Sequence, residues 1–224
     1  MKKLILLVTL LILAFGCTKK LKTEISDLKT QITELKTLTR DDVEKHVASW
    51  PEESKTAVKA ILDKRGLPEG YTTGMVVWNN TAPFKRTIVY QEETLNLFPE
   101  RHSDVIEQAI DFSVPKDKVL ALWEFDGSII IDKVRGELLA RNQSEEMNTL
   151  ALNLAVEVAR GKLTSEQARK EFSNIWENYK RGNSNQHITN LNFVQTTNAG
   201  NPDISIPVVK MQAQEAAPDG QNNP

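Results

Sequence analysis

The chain has 224 residues and is poor in the side chains that carry most enzyme chemistry. It has one cysteine, Cys17, and three histidines, His46, His102 and His187. A single thiol excludes an internal disulfide framework and any paired-cysteine metal or redox motif. No two histidines stand at a metal-ligand spacing such as HExxH, and there is no P-loop, GxGxxG or GxSxG. Aromatic residues make up only 6%. The net charge is −2, which excludes the broad basic surface that non-specific nucleic-acid binding needs. No apolar run reaches the ~20 residues of a membrane-spanning helix, and no repeat recurs at a solenoid period. No cofactor, no metal and no nucleic-acid partner is expected.

What is present begins at the N-terminus. Lys2 and Lys3 precede an apolar run, residues 4–15, broken only by Thr9. Twelve helical residues would span about 18 Å, short of the ~30 Å hydrocarbon core, so the length fits the apolar region of an export signal. Ala14-Phe15-Gly16-Cys17 follows and resembles the lipobox of bacterial lipoproteins. It departs from the commonest form, with Ala14 where Leu is usual and Phe15 where a small residue is usual. The resemblance implies that residues 1–16 are a lipoprotein signal peptide. Cys17 would then become the first mature residue, with lipid (palmitate among the acyl chains) on its sulfur and amine. More than one chain is what stable anchoring requires. The resemblance also implies the bacterial cell envelope. Because Thr18, not Asp, follows the cysteine, it implies the outer membrane, facing the periplasm, in a diderm cell. Loss of Lys2 and Lys3 with the leader shifts the net charge from −2 to −4.

Residues 17–40 hold the lipidated N-terminus and a stalk. Leu21, Ile25, Leu28, Ile32 and Leu35 alternate spacings of four and three. This is a heptad pattern with Ile at a and Leu at d, which suits a parallel two-stranded coiled coil. Glu24 at g and Lys29 at the next e favour a homodimer through residues 21–35, and a helix spacing the domain from the bilayer explains the same pattern. In style the stretch resembles the short coiled coils of murein-lipoprotein-type proteins.

Residues 41–182 read as one α+β domain: a small, mainly antiparallel sheet with helices packed on one side. The block 50–172 resembles an uncharacterised bacterial family, which implies no function. Pro51 starts a helix whose apolar face is Ala57, Val58, Ile61 and Leu62, with Gly66 as its stop. Residues 73–78 and 86–90 are rich in β-branched residues and read as strands. Residues 92–101 look irregular. Ser103 caps an expected short helix over 104–111, and a second covers 116–123. Residues 128–134 and 137–141 read as a hairpin about Arg135-Gly136. Ser144 caps a helix with Met147, Leu150, Ala151 and Leu154 inward, closed by Gly161. Thr164 and Gln167 form a capping-box pattern that opens another helix, with Ala168, Phe172, Ile175, Trp176 and Tyr179 as a large apolar face before Gly182. Residues 183–224 are rich in Asn, Gln and Pro and are expected to be a mobile, disordered tail. Within it, residues 203–209 (DISIPVV) are β-prone and fit the edge of a sheet, the domain's own or a partner's.

Two clusters carry the candidate chemistry. Trp78, Asn79, Asn80, Lys85 and Arg86 combine an aromatic, amides and cations on one loop, which suits a sugar-like or anionic ligand; the plainer reading places Trp78 in the core. His102, Asp104 and Glu107 have the residue types of an acid–base or metal site, or of a solvated helix start. The main functional expectation is a membrane-anchored, non-catalytic binding or assembly module with an envelope protein or glycan as partner. The alternative is a membrane-tethered periplasmic hydrolase without a recognisable motif. An enzyme needs a concave site where His102 or several carboxylates converge. A binding module needs an apolar groove or patch without that convergence.

Overall fold

The structure, a computed structural model, describes residues 22–24, 26, 38–196 and 199–201. Residues 22–24 and 26 are helical. Cys17, the leader and the heptad positions 21, 25, 28, 32 and 35 lie outside the described residues. Among those described, no helix is long and apolar enough to cross a membrane.

The fold is α+β, built on a six-stranded sheet in which every pairing is antiparallel. Helix α1 (Arg40–His46) and a 3-10 turn (Val47–Ser49) lead into α2 (Glu52–Arg65). Strands β1 (Gly70–Thr72), β2 (Met75–Asn79), β3 (Arg86–Asn96) and β4 (His102–Asp111) follow. A 3-10 turn (Lys116–Lys118) and α3 (Val119–Phe125) cross to β5 (Ile129–Asp132), which returns as β6 (Glu137–Asn142). Helices α4 (Glu145–Ala159), α5 (Ser165–Lys180) and α6 (Gln186–Thr189) follow. The strand order is β1-β2-β3-β4-β6-β5.

Local chemistry sets the element ends. Thr39 is extended and caps α1 in a reciprocal box with Asp42, so a backbone break separates α1 from the residues before it. Ser144 caps α4 through the Met147 N–H, and Thr164 caps α5 in the box expected with Gln167. Gly136, at φ +68°, turns the β5–β6 hairpin in the left-handed conformation that glycine adopts without steric cost.

The expected helix over residues 104–111 is instead strand β4. Val105-Ile106 and Ala109-Ile110 repeat at a spacing of four, which mimics a helical face. In the sheet, β4 lies between β3 and β6 with both faces buried, so it shows no alternation. The irregular stretch after Tyr90 is partly a continuation of β3, with a bulge between Val89 and Thr94.

One sheet face takes the helices. Trp78, Thr87, Gln108, Ala140 and Ile129 form one cross-strand row on it. Two separate apolar clusters lie on this side. One joins Trp50, Val58, Ile61 and Leu62 with Val76, Trp78 and Val89. The other joins Phe125, Leu138, Leu150, Leu154 and Phe172 with Ile110. A polar seam runs nearby: Gln108 donates to Thr87 Oγ1 (3.2 Å) and Glu145 Oε2 (3.0 Å). Asn148 donates to Gln108 Oε1 (3.2 Å) and to the Ile106 carbonyl (2.9 Å).

The polar C-terminal segment begins inside the domain, contrary to the expectation of a tail starting at 183. Asn153 of α4, 2% exposed, holds it. Its amide nitrogen donates to the His187 and Asn190 carbonyls (2.9 and 2.7 Å), and its oxygen accepts from the Asn192 N–H (2.8 Å). Ile188 is buried and Phe193 packs edge-on to Phe112.

Candidate functional site

The loop read as a ligand site turns its aromatics inward. Trp78 is 0% exposed, and its indole N–H donates to the Gly66 carbonyl (3.0 Å). Asn79, the next residue on β2, faces the other way and is exposed. Asn80 is left-handed at φ +51° and Phe84 is buried. Lys85 contacts Asp111 (2.7 Å) and Glu137 (3.3 Å), and Arg86 contacts Glu137 (2.7 Å). Burial works against ionisation of Glu137, but Arg86 and Lys85 outweigh it and lower its pKa. The two cations are thus matched within the sheet, and Trp78 is a core residue.

The second cluster is divided by strand geometry. Alternation places Asp104 and Glu107 on opposite faces of β4. Glu107 accepts from Arg141 (2.7 Å) and Tyr90 (3.3 Å). The Arg141 guanidinium stacks 4.4 Å from the Tyr90 ring centre. Asp104 lies with His102, Asn96 and Ser128, all within the fold. His102 Nε2 is 2.9 Å from Asp104 Oδ1, an ion-pair contact off the line of a well-directed hydrogen bond. Asp104 Oδ2 accepts from Ser128 Oγ (2.9 Å) and Asn96 Nδ2 (3.0 Å). Burial opposes protonation of His102 most strongly, yet the Asp104 carboxylate and the Glu100 carbonyl together raise its pKa. Burial also raises the pKa of neighbouring Asp126, against the Ser128 N–H that donates to it. Neither His102 nor Asp104 lines any of the four main cavities. Among the described residues, no group of three or more His, Cys, Asp or Glu side chains is placed to hold a metal ion.

Matched against protein-family models, curated proteins and solved structures, the chain finds no counterpart. The site therefore stands on its own geometry.

That geometry favours a groove of about 480 Å³ formed by α2, the start of α4 and the end of α5. Ala57, Ala60, Ile61 and Ile106 supply apolar lining, with Trp176 and Tyr179 alongside. The two aromatic rings stack with centroids 5.7 Å apart and an interplanar angle of 27°. The Trp176 N–H is engaged by Glu100 (2.7 Å). Glu52, Glu53, Glu145 and Glu146 outnumber the single lysine, Lys64, in the lining. Two helix ends explain part of this arrangement. Glu145 and Glu146 sit at the positive start of α4, and Lys64 and Arg65 at the negative end of α2. Arg65 pairs with Glu145 (2.6 Å), and Lys64 pairs with Glu146. Burial pushes the Glu146 carboxyl up, but Lys64 outweighs it and the pKa is lowered. Glu146 is thereby held ionised, which suits electrostatic attraction and not proton donation.

The sequence puts Trp176 and Tyr179 on one large apolar face with Ala168, Phe172 and Ile175. Only the last three are buried. The stripe is wider than one core face, and that excess width was the available signal. A second apolar area lies on α3, where Val119, Leu120 and Trp123 are exposed, Trp123 by 72%.

Proposed function

We propose that this chain is a membrane-anchored cell-envelope lipoprotein. It acts as a non-catalytic binding or assembly module, attached by lipid on Cys17 and held off the membrane by a helical stalk. Its binding site is the groove beside Trp176 and Tyr179. The observation that carries the binding role is the combination of that apolar, aromatic lining with four carboxylates against one lysine. A site of this kind buries apolar groups and attracts positive charge, without a free acid–base pair. The His102 cluster, which a hydrolase would need at a cleft, is enclosed by its own neighbours. The occupant of matching chemistry is a segment of an envelope protein with apolar and basic side chains. The anchor rests on the lipobox-like stretch, and the stalk on the heptads.

The test joins mass spectrometry of the mature N-terminus to crosslinking in native membranes. The wild-type chain should begin at a doubly or triply acylated Cys17 and sediment with membranes, whereas Cys17→Ser should not be acylated. A partner crosslinked to the wild type should be lost with Trp176→Ala and retained with Trp123→Ala. An unmodified N-terminus, with wild type and Cys17→Ser equally soluble, would remove the anchor. Capture unaffected by Trp176→Ala would remove the groove.

A further inference from the structure

The groove beside Trp176 and Tyr179 has walls of one kind. From Glu52 to Lys64 it follows α2, a stretch of about 18 Å at 1.5 Å per residue. The α2 residues that line it form two neighbouring i, i+4 ridges, Glu52-Thr56-Ala60-Lys64 and Glu53-Ala57-Ile61. The first turn of α4 and the last turns of α5 face them. Ile106 belongs to a strand paired on both sides, and its carbonyl accepts from Asn148.

Such walls distinguish an extended occupant from a helical one. A strand-like segment draws its affinity from unpaired main-chain groups at a sheet edge. In this lining only Gln143 and Ser144 lie outside helix and sheet. An extended segment would set most of its own N–H and C=O groups against apolar side chains and main chain that is already bonded, and unpaired buried groups are costly. A helix satisfies its own main chain and brings only side chains. Ala60, small and exposed in the middle of its ridge, leaves room for a visiting ridge.

The aromatic wall is fixed in place. Glu100 accepts from the Trp176 indole N–H and from Lys180 (2.7 Å each). The indole therefore has no donor left for a ligand and offers its ring, stacked on Tyr179, for apolar contact. Three of the four carboxylates are matched: Glu145 by Arg65, Glu146 by Lys64 and Glu52 by Lys55 (2.8 Å). Glu53 is exposed and carries no such partner among the described residues. The uncompensated charge thus lies at the start of α2.

We propose that the occupant is an amphipathic helix of a partner protein, with its apolar ridge against Ala60, Trp176 and Tyr179 and a lysine or arginine beside Glu53. This rests on the groove being the binding site and adds the conformation of what it takes.

Two peptides of identical leucine and lysine composition serve as probes, one with leucines at i, i+3, i+4 and i+7, the other in strict alternation. Each is titrated against the full chain while the indole N–H signals of the four tryptophans are followed by NMR. Trp176 reports the groove, and Trp123, exposed on α3, reports adhesion elsewhere. The helix-patterned peptide should move Trp176 and not Trp123, with a Kd at least about tenfold below that of the alternating peptide. Ala60→Arg keeps a good helix former at an exposed position but fills the groove, so the Kd should rise at least about tenfold in a folded protein. Glu53→Gln should raise it about twofold to fivefold and flatten its dependence on salt. Equal affinity of the two peptides at Trp176 would overturn the helix and leave the groove standing as the site. An Ala60→Arg Kd equal to that of the wild type would also overturn the helix, and an unchanged Glu53→Gln titration would overturn the placement of the cation. Trp176 unmoved by both peptides would remove the groove itself and this inference with it.

Discussion

Replacing Asn153 with alanine removes three hydrogen bonds at once, all from one buried amide to the backbone of residues 187–192. At about 1 kcal/mol net for each bond, the loss is about 3 kcal/mol, a large share of the stability of a single domain. Asn153→Asp should be worse. It keeps the acceptor for the Asn192 N–H but sets a carboxylate against the His187 and Asn190 carbonyls, with no donor to satisfy them. Urea unfolding supplies the global measure and limited proteolysis the local one. If the segment detaches alone, cleavage within 183–196 rises while the midpoint moves little, because the cost is limited to what docking contributes. If it unfolds with the core, the midpoint falls as well. An Asn153→Ala protein with an unchanged midpoint and no faster cleavage would refute the clamp.

Two further outcomes follow from the geometry. The His102 pKa is raised in the folded state, so its contribution to stability is full below its unfolded value and is lost as pH rises through the folded one. The stability gap between wild type and His102→Gln, from denaturant titrations, should therefore be widest below the ordinary histidine value near about pH 6.5 and shrink as pH rises above it through the raised folded value; a gap constant with pH would refute it. Gly136→Ala should cost at least about 1–2 kcal/mol from the left-handed backbone alone. It should also expel residues 199–201, whose backbone an added Cβ would strike at Ala199, seen as faster exchange at the Asn201 N–H, with unaltered exchange there as the contrary result.

The helices were largely legible in the sequence because each carries its own punctuation. Pro51 and Gly66 frame α2, Ser144 and Gly161 frame α4, and Thr164 with Gln167 opens α5. Strand β4 was not legible, since a central strand shows no alternation and its apolar pairs imitate a helix. The docking of 186–196 was hidden by composition. Two anchors, Ile188 and Phe193, and one distant amide, Asn153, outweigh a polar background, and nothing local announces such a partnership. Trp78 illustrates the reverse. Its neighbours suggested a ligand loop, but strand alternation sends the indole into the core and only Asn79 outward. The groove was half visible: Trp176 and Tyr179 were marked as apolar, while nothing local shows that only Ala168, Phe172 and Ile175 of that face are buried.

The seam of Thr87, Gln108, Asn148 and Glu145 has a bearing on how this domain can change over time. Because the two apolar clusters stay separate on one sheet face, variation on the Trp78 side and on the Phe172 side need not be compensated across the seam. The seam itself behaves oppositely. The amides there share partners, so a change at Gln108 takes one hydrogen bond from each of Thr87, Asn148 and Glu145 together. A lineage carrying this fold would therefore drift freely in two oily halves around a line of polar residues that can only be exchanged as a set.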